Sequence, residues 1–502
     1  MEKTAKTAPS SDEETGIPMN KTISSVESPS TLVRLDPFGI PLHPTPTTDD
    51  LDPLNWTKWQ KYKVLFIICY LSFLALYGST TTVESFFLLQ ELFDVSYSQV
   101  NWTLAIPGLG AALGALLFSG LGDIFGRRPV LIACSIIALI AAGCTTIQGI
   151  SYGGYMFCRF LQGLGGAPGM PIGFAVVRDI SWEHERGFNI GLWVMGIDVG
   201  FVLGGVIGGF TAATGPYWAM YHVAIAYGIL VCLLVFALPE TLYPRELVLE
   251  LEETGQNLQS LRRTKEIKPW NLMKIPGVNH PKAWECTARF FMLWKHPRLL
   301  LALLPFLFLQ YWWSLSFLTM APAAYANYST QIQGLLFLGI VIGFIFAEIF
   351  FSGRLSDIIC ARLALRNDGV RTPEMRLWLG YLGAVLGAIG PIIWGLSVDR
   401  NWHWMVGQVG FFLFAAGMQT GNTAVTTYIF ECYPNNAVDI LTFYAVMNNL
   451  SAFIEPFFIN YWVEAIGYTW CFASQGLLTL LIIPTFACLQ KWGPKLQKDI
   501  KF

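Results

Sequence analysis

Charge is what this 502-residue sequence has least of: charged residues are 13% of it and hydrophobic residues 54%. A soluble chain of this length would fold as two or three domains, each coated with roughly twice that share of charge. No such water-facing coat can be made here. Paired cysteines are missing too. Ten cysteines stand singly, mostly in apolar stretches such as Cys69, Cys134, Cys144, Cys232 and Cys471, and no CxxC pair or Cys/His cluster implies a metal or redox centre. The sequence lacks a glycine loop ending in Lys-Ser or Lys-Thr, an HExxH pair and a GxSxG elbow, which removes the usual grounds for an enzyme. Gly163-Leu164-Gly165-Gly166 sits inside an apolar stretch and makes no nucleotide site. No basic patch carries interleaved aromatics, so nucleic acid is not an expected partner, and no cofactor or metal is implied.

What is present is a succession of long apolar runs. A helix needs about 20 mainly apolar residues to cross some 30 Å of hydrocarbon. Twelve stretches qualify, near 63–83, 101–121, 129–148, 152–177, 187–212, 217–238, 299–324, 331–352, 377–397, 404–430, 438–463 and 467–488. The expected fold is therefore an all-α integral membrane protein. Residues 1–58, rich in Ser, Thr, Pro and acids, read as a disordered tail with no apolar region for a cleaved signal peptide. A polar stretch, 239–298, carries Arg262, Arg263, Lys265, Lys268, Lys274 and Lys282 and divides the chain into six-span halves, 59–238 and 299–490, before a short tail, 491–502.

Positive charge fixes the expected orientation, because Lys and Arg are retained on the cytoplasmic side. With both termini inside, the inner segments hold all of the Lys and Arg except Arg159, within a span, and Arg400, in an outer loop. The two halves also repeat. After span two the chain reads Ser119-Gly120-Leu121-Gly122-Asp123-Ile124-Phe125-Gly126-Arg127-Arg128; after span eight it reads Ser352-Gly353-Arg354-Leu355-Ser356-Asp357, with Arg362 following.

In these motifs the sequence resembles the major facilitator superfamily, specifically its twelve-span drug:proton antiporter branch in fungi. The resemblance covers nearly everything after residue 50. The segment Gly120 to Arg128 is similar to the loop 2–3 motif whose Asp and Arg latch the inner gate, which implies gating roles for Gly120, Asp123, Gly126, Arg127 and Arg128, with Asp357 and Arg362 as their counterparts. Arg159-Phe160-Leu161-Gln162-Gly163 resembles the span-four motif whose Arg is implicated in proton coupling. The flanks Asp52-Pro53-Leu54-Asn55-Trp56-Thr57 and Pro239-Glu240-Thr241-Leu242-Tyr243-Pro244 also look like fungal members. In span five, Gly191, Gly200, Gly204, Gly208 and Gly209 fit the antiporter pattern, in which glycines let helices pack closely. Gly205 stands where that pattern has a proline, which loosens the inference of export. The resemblance implies two pseudo-symmetric six-helix bundles, and a monomer in the plasma membrane that binds protons and a small organic substrate.

The residues support a site independently. An ionisable group in hydrocarbon needs a partner, water or a function. Arg159 and Asp198 lie on successive spans, which predicts an Arg159–Asp198 pair that opens on protonation or else serves as a static ion pair. Glu455, before Pro456, shares a helix face with Asn448 and is the third proton-coupling candidate. Polar stripes usually face a bundle interior. Tyr70, Tyr77, Thr81 and Glu84 in span one, and Gln419, Thr423, Thr426 and Glu431 in span ten, form such stripes. Candidate cavity residues are Tyr77, Gln162, Gln310, Trp313, Gln419, Thr423 and Asn448, which either meet substrate or hydrogen-bond neighbouring helices. Glu84, Glu348 and Glu431 lie near span ends and are expected to be solvated. Asn327-Tyr328-Ser329 is an outer-loop glycosylation sequon. The expected function is proton-coupled efflux of a xenobiotic or secondary metabolite. Uptake of polyamines or other organic cations, and a non-transporting sensor or scaffold, are the rivals.

Overall fold

The computed structural model describes residues 44–215, 217–254, 282–367, 372–433 and 436–496. Twelve long helical segments follow one another: α1 Lys58–Thr80, α2 Tyr97–Phe118, α3 Arg127–Cys144, α4 Tyr152–Ile180, α5 Glu183–Ala212, α6 Trp218–Phe236, α7 Pro297–Ala324, α8 Thr330–Phe351, α9 Pro373–Asp399, α10 Trp404–Cys432, α11 Ala437–Ile454 and α12 Ile459–Leu496. Eleven of these regions are long and apolar enough to cross a membrane. The exception, α10, carries Gln408, Gln419, Thr420, Asn422, Thr423, Thr426 and Thr427, and most of it is buried among other helices rather than facing outward. Its polarity is tolerated because its neighbours, not hydrocarbon, meet it. The outer faces are apolar, with Phe66, Ile140, Ile225, Ile229 and Phe236 exposed.

Local sequence explains several helix ends. Ser96 caps α2 in a capping box with Gln99, Thr57 accepts the Gln60 amide at the start of α1, and Ser151 accepts the Gly154 amide at the start of α4. Two π-helical turns, Leu307–Tyr311 in α7 and Glu348–Leu355 at the end of α8, interrupt regular winding. Such turns often occur where side chains are aimed at a functional centre.

The halves repeat in their packing. In the first, α2 packs on α4, α3 on α4 and α3 on α6; in the second, α8 packs on α10, α9 on α10 and α9 on α12. They meet along α2–α11 and α5–α8, which is also a symmetric exchange of partners. Twelve alternating passes return the chain to the face where it began. That face, holding 44–57 and Leu496, is called basal below, and the opposite face distal.

Two boundaries differ from the sequence reading. Residues 44–57 are folded: Asp52 is fully buried and paired with Arg245 at 2.9 Å, Thr48 bonds Glu252, and Asp52 caps the turn Pro53–Asn55. The last helix runs on through Leu496. Glycine at 467, with φ 77°, separates the distal start of α12 from its spanning part. Arg262, Arg263, Lys265, Lys268 and Lys274 lie outside the described residues, as does the side chain of Asp357.

Candidate functional site

At the basal face the Gly120–Arg128 turn is tied down by groups from elsewhere in the chain. The Arg127 guanidinium pairs closely with Asp179 at the end of α4 and lies 3.8 Å from Asp123. Glu240, just after α6, accepts the Arg127 and Arg128 backbone amides, each at 3.1 Å. A carboxylate there satisfies two of the free amides that open α3 and meets the positive end of its dipole. Gly126, at φ 95°, leaves the space that Glu240 fills, since a Cβ would come within 2.7 Å of its carboxylate. Arg128 bonds the Leu234 and Val235 carbonyls at the end of α6. Gly120 lies under Cys286 of the short helix Ala283–Leu293, which then reaches α11 through Arg289 and Asp439, 3.8 Å apart. In the second half the corresponding bonds come from Arg376, to Glu431 at 3.0 Å and Ser356 at 2.9 Å, and from Arg298, to Glu374 and Tyr428. Arg362, expected to serve there, is exposed and makes no ion pair among the described residues. Asp179, Arg376 and Arg298 were missed because no local motif marks a partner that arrives from another helix.

Arg159 does not pair with Asp198. Its side chain is wholly enclosed and donates to the carbonyls of Gly78 (2.7 Å), Ser79 (2.6 Å) and Thr103 (3.3 Å), to Gln162 Oε1 (2.7 Å) and to Thr82 Oγ1 (3.3 Å). Helix α1 ends at Thr80, so the Gly78 and Ser79 carbonyls are among those with no amide of their own helix to accept from. A cation placed on them also meets the negative end of the helix dipole. The expected pair fails on depth. Arg159 lies seven residues from Tyr152, Asp198 fourteen from Ala212, which sets Asp198 about 10 Å deeper at ~1.5 Å per residue.

Asp198 instead faces the second half. It is 3% exposed, interacts with Glu348 of α8 and Gln419 of α10, and leaves Oδ2 without a hydrogen bond. Gln419 Nε2 donates to Glu348 Oε2 at 2.8 Å and neighbours Asp198, so one side-chain amide stands between acids of opposite halves. Tyr311 and Tyr444 lie within the electrostatic reach of Asp198, and Asn448 interacts with Tyr311. Tyr444 donates to Asn422 at 3.2 Å. Glu348 was expected to be solvated; at the start of a π-turn it is half-buried and accepts from Gln419. Glu84 departs further, being 2% exposed with both oxygens unbonded. Glu431 is the one of the three that is exposed, as expected.

Glu455 is wholly buried in the turn Glu455–Phe457, accepts from Ser316 at 2.7 Å and leaves its second oxygen free. Several cavity candidates turn out to hold helices together. Gln310 donates to the Gly383 and Gly417 carbonyls, fastening α7 to α9 and α10, and Trp313 bonds its own helix at Leu309. Tyr77 bonds His222 at 2.8 Å, and Gln162 holds Arg159. Gln419 and Asn448 remain at the boundary of the halves, and Thr423 is half-buried on α10. The span-five glycines press on two partners: Gly200, Gly204 and Gly208 on α1, where a Cβ at 200 would stand 2.5 Å from the Phe73 carbonyl, and Gly209 on α8. Gly191 lies against Glu348. Asn327 is exposed in the distal loop.

The halves touch at both faces. Distally, Tyr97 donates to the Thr319 carbonyl at 3.1 Å and Asn101 to Asn460 at 3.0 Å; basally, Phe174 stacks on Phe430. Residues 65–456 match the family model described as Major Facilitator Superfamily. The chain belongs to that superfamily. Fungal transporters and efflux pumps are among its relatives: the MFS-type transporter penM of Penicillium rubens is 26% identical over 90% of this chain and 89% of its own length. The efflux pump vrtL of Penicillium aethiopicum is 25% identical over 90% of each. Among solved structures, a D-xylose–proton symporter superposes with a TM-score of 0.62 at 16% identity, over 88% of this chain and 99% of that one. The superfamily is non-enzymatic, so this is a multi-pass membrane transporter.

Proposed function

We propose that the chain is a proton-coupled antiporter that exports a small organic molecule, a xenobiotic or secondary metabolite, by alternating access. It would work as a monomer in the plasma membrane with the basal face in the cytoplasm, the orientation favoured by the distribution of Lys and Arg. The observation that carries this reading is the Asp198–Gln419–Glu348 junction across the α5–α8 boundary. Asp198 is buried with an unbonded oxygen and half-buried Glu348 faces it across the boundary, so charge on both acids sets like charges against each other. With a proton on one acid, the like-charge repulsion is gone and the halves stay together. When the proton leaves, like charges face each other across the boundary along which the halves must move. Proton loss and rearrangement are thus the same event. Relatives named efflux pumps support the export direction. Arg159 supports the pathway indirectly, by securing the end of α1.

One observation favours cation substrates, and with them the uptake reading. Asp198 and Glu348 have no ion-pair partner among the described residues, and Tyr311 and Tyr444 stand near Asp198. A bound organic cation would supply the missing charge.

A pH jump in proteoliposomes, with organic cations, polyamines and neutral metabolites as probes, tests the proposal. An imposed proton gradient should drive movement of at least one probe, and Asp198→Asn and Glu348→Gln should each remove that drive while leaving a folded protein. Equal movement with and without the gradient, unchanged by either substitution, would make the protein a facilitator and remove the role given to Asp198.

A further inference from the structure

A second acid stands at the distal end of the same boundary. Glu84 is the middle residue of the turn Val83–Ser85 that follows α1, and this turn packs against α5, the distal part of α7, the first turns of α8 and the short helix Phe86–Phe93. Its carboxyl group is buried and neither oxygen has a hydrogen-bond partner. The titratable group facing it is Tyr97 of α2, whose hydroxyl is already committed to the Thr319 carbonyl. The contacting parts of α5, α7 and α8 carry no acidic or basic side chain, and Glu91 of the short helix is exposed. The nearby basic side chains are occupied: Arg159 by the α1 carbonyls, Gln162 and Thr82, and His222 by Tyr77, Thr81 and the Trp218 carbonyl.

An ionised carboxylate enclosed without a partner is costly by several kcal/mol, whereas a neutral carboxylic acid costs about what an unbonded hydroxyl does, roughly 1–3 kcal/mol. The packing around Glu84 therefore selects the acid form. That packing is the distal closure itself, since Tyr97–Thr319 joins the halves beside Glu84 and Asn101–Asn460 joins them on the same face. Water reaches the carboxyl group when these contacts part.

We infer that Glu84 is a proton-binding site of the distal gate: a proton on it lets the α1 turn seat against α7 and α8, and its release to water holds that face open. This rests on the antiporter reading for its place in the cycle. It adds that distal opening has its own proton, separate from the one at Asp198, and that a proton arriving from the distal side meets Glu84 first.

The test is hydrogen–deuterium exchange on the full-length protein in nanodiscs, at about pH 6 and about pH 8 and corrected for chemical exchange, where a coupled opening grows by up to about tenfold per pH unit. In the unsubstituted protein the segments 97–104 and 313–324 should exchange faster at the higher pH, while 127–144 should not. Glu84→Gln, which imitates the acid form, should keep both distal segments slow at either pH. Glu84→Asp, still titratable, should restore the pH dependence, which a purely structural role would not give. If the distal segments of the unsubstituted protein do not respond to pH, or if Glu84→Gln responds as it does, the inference is wrong. The measurement needs neither substrate nor gradient, so failure of proton-driven transport in proteoliposomes would overturn the antiporter reading without touching this one.

Discussion

Arg159 and Asp198 are both buried ionisable side chains, and their surroundings are opposite. Every nitrogen of Arg159 has an acceptor, and all of these acceptors belong to the first half. Asp198 stands beside a donor that bonds another acid, leaves an oxygen unbonded, and has its neighbours in the second half. The difference separates what holds a bundle from what moves between bundles. A fully satisfied charge inside one half has no lower-energy arrangement to seek. An under-satisfied one at the boundary does, and a proton or a ligand can decide between its states.

The comparison breaks most visibly at Arg159. Arg159→Ala strands the α1 carbonyls and the Gln162 amide in a dry interior, and with about 1–3 kcal/mol for each unsatisfied group we expect a loss of several kcal/mol. Thermal denaturation of purified protein should show it, along with poor expression; a midpoint within a degree or two of the parent would mean the capping role is wrong. Asp198→Asn should leave that midpoint nearly unchanged and act on transport instead, lowering proton-driven flux by about tenfold or more, the equivalent of ~1.4 kcal/mol or more. Gly200→Val tests whether the span-five glycines serve packing. It pushes a branched side chain into the Phe73 carbonyl and should cost about 1–3 kcal/mol. Transport per folded molecule should then stay near the parent value if α1 and α5 move as one body.

Much of this arrangement was legible in the sequence. Eleven of the twelve spans follow from apolar run length, whereas α10, read as a twelfth such run, is too polar to qualify by it and is buried among its neighbours instead. The halves were legible from the Gly-Asp-Arg turns at matching places. What was not legible is which polar residue meets which. Gln310 and Gln419 look alike as single glutamines in apolar helices, yet one staples α7 to two carbonyls inside a half and the other bonds Glu348 beside Asp198 between halves. Periodicity gives a residue's face but not the neighbour that the face meets. Depth misled for the same reason, since Arg159 and Asp198 are separated along the membrane normal by an offset that their helix ends reveal. Glu84 was misplaced because a span end usually means solvent, and here the chain turns into a short helix that packs back over it.

The smallest effect concerns a paired charge outside the spans, where the same contrast can be sharpened by pH. Burial alone pushes the Asp52 carboxyl up, but the Arg245 hydrogen bond and charge, with the Leu54 and Thr47 amides, outweigh it and hold the group below its ordinary range. A depressed folded-state value means the stabilisation is present above the unfolded value of about 3.9 and is lost as pH falls through the folded one. At neutral pH, Asp52→Asn should therefore loosen the contact between 47–56 and the helix Arg245–Glu253 by about 1–2 kcal/mol, read as faster amide exchange in those two segments. As the solution is acidified through the carboxylate range, the parent should approach the variant while Asp52→Asn itself changes little. A gap that stays constant with pH would assign the contact to shape rather than charge. Because Asp52, like Arg159, is fully partnered, neither outcome should alter the proton dependence of transport, and a change there would show that the basal clamp takes part in the movement of the halves.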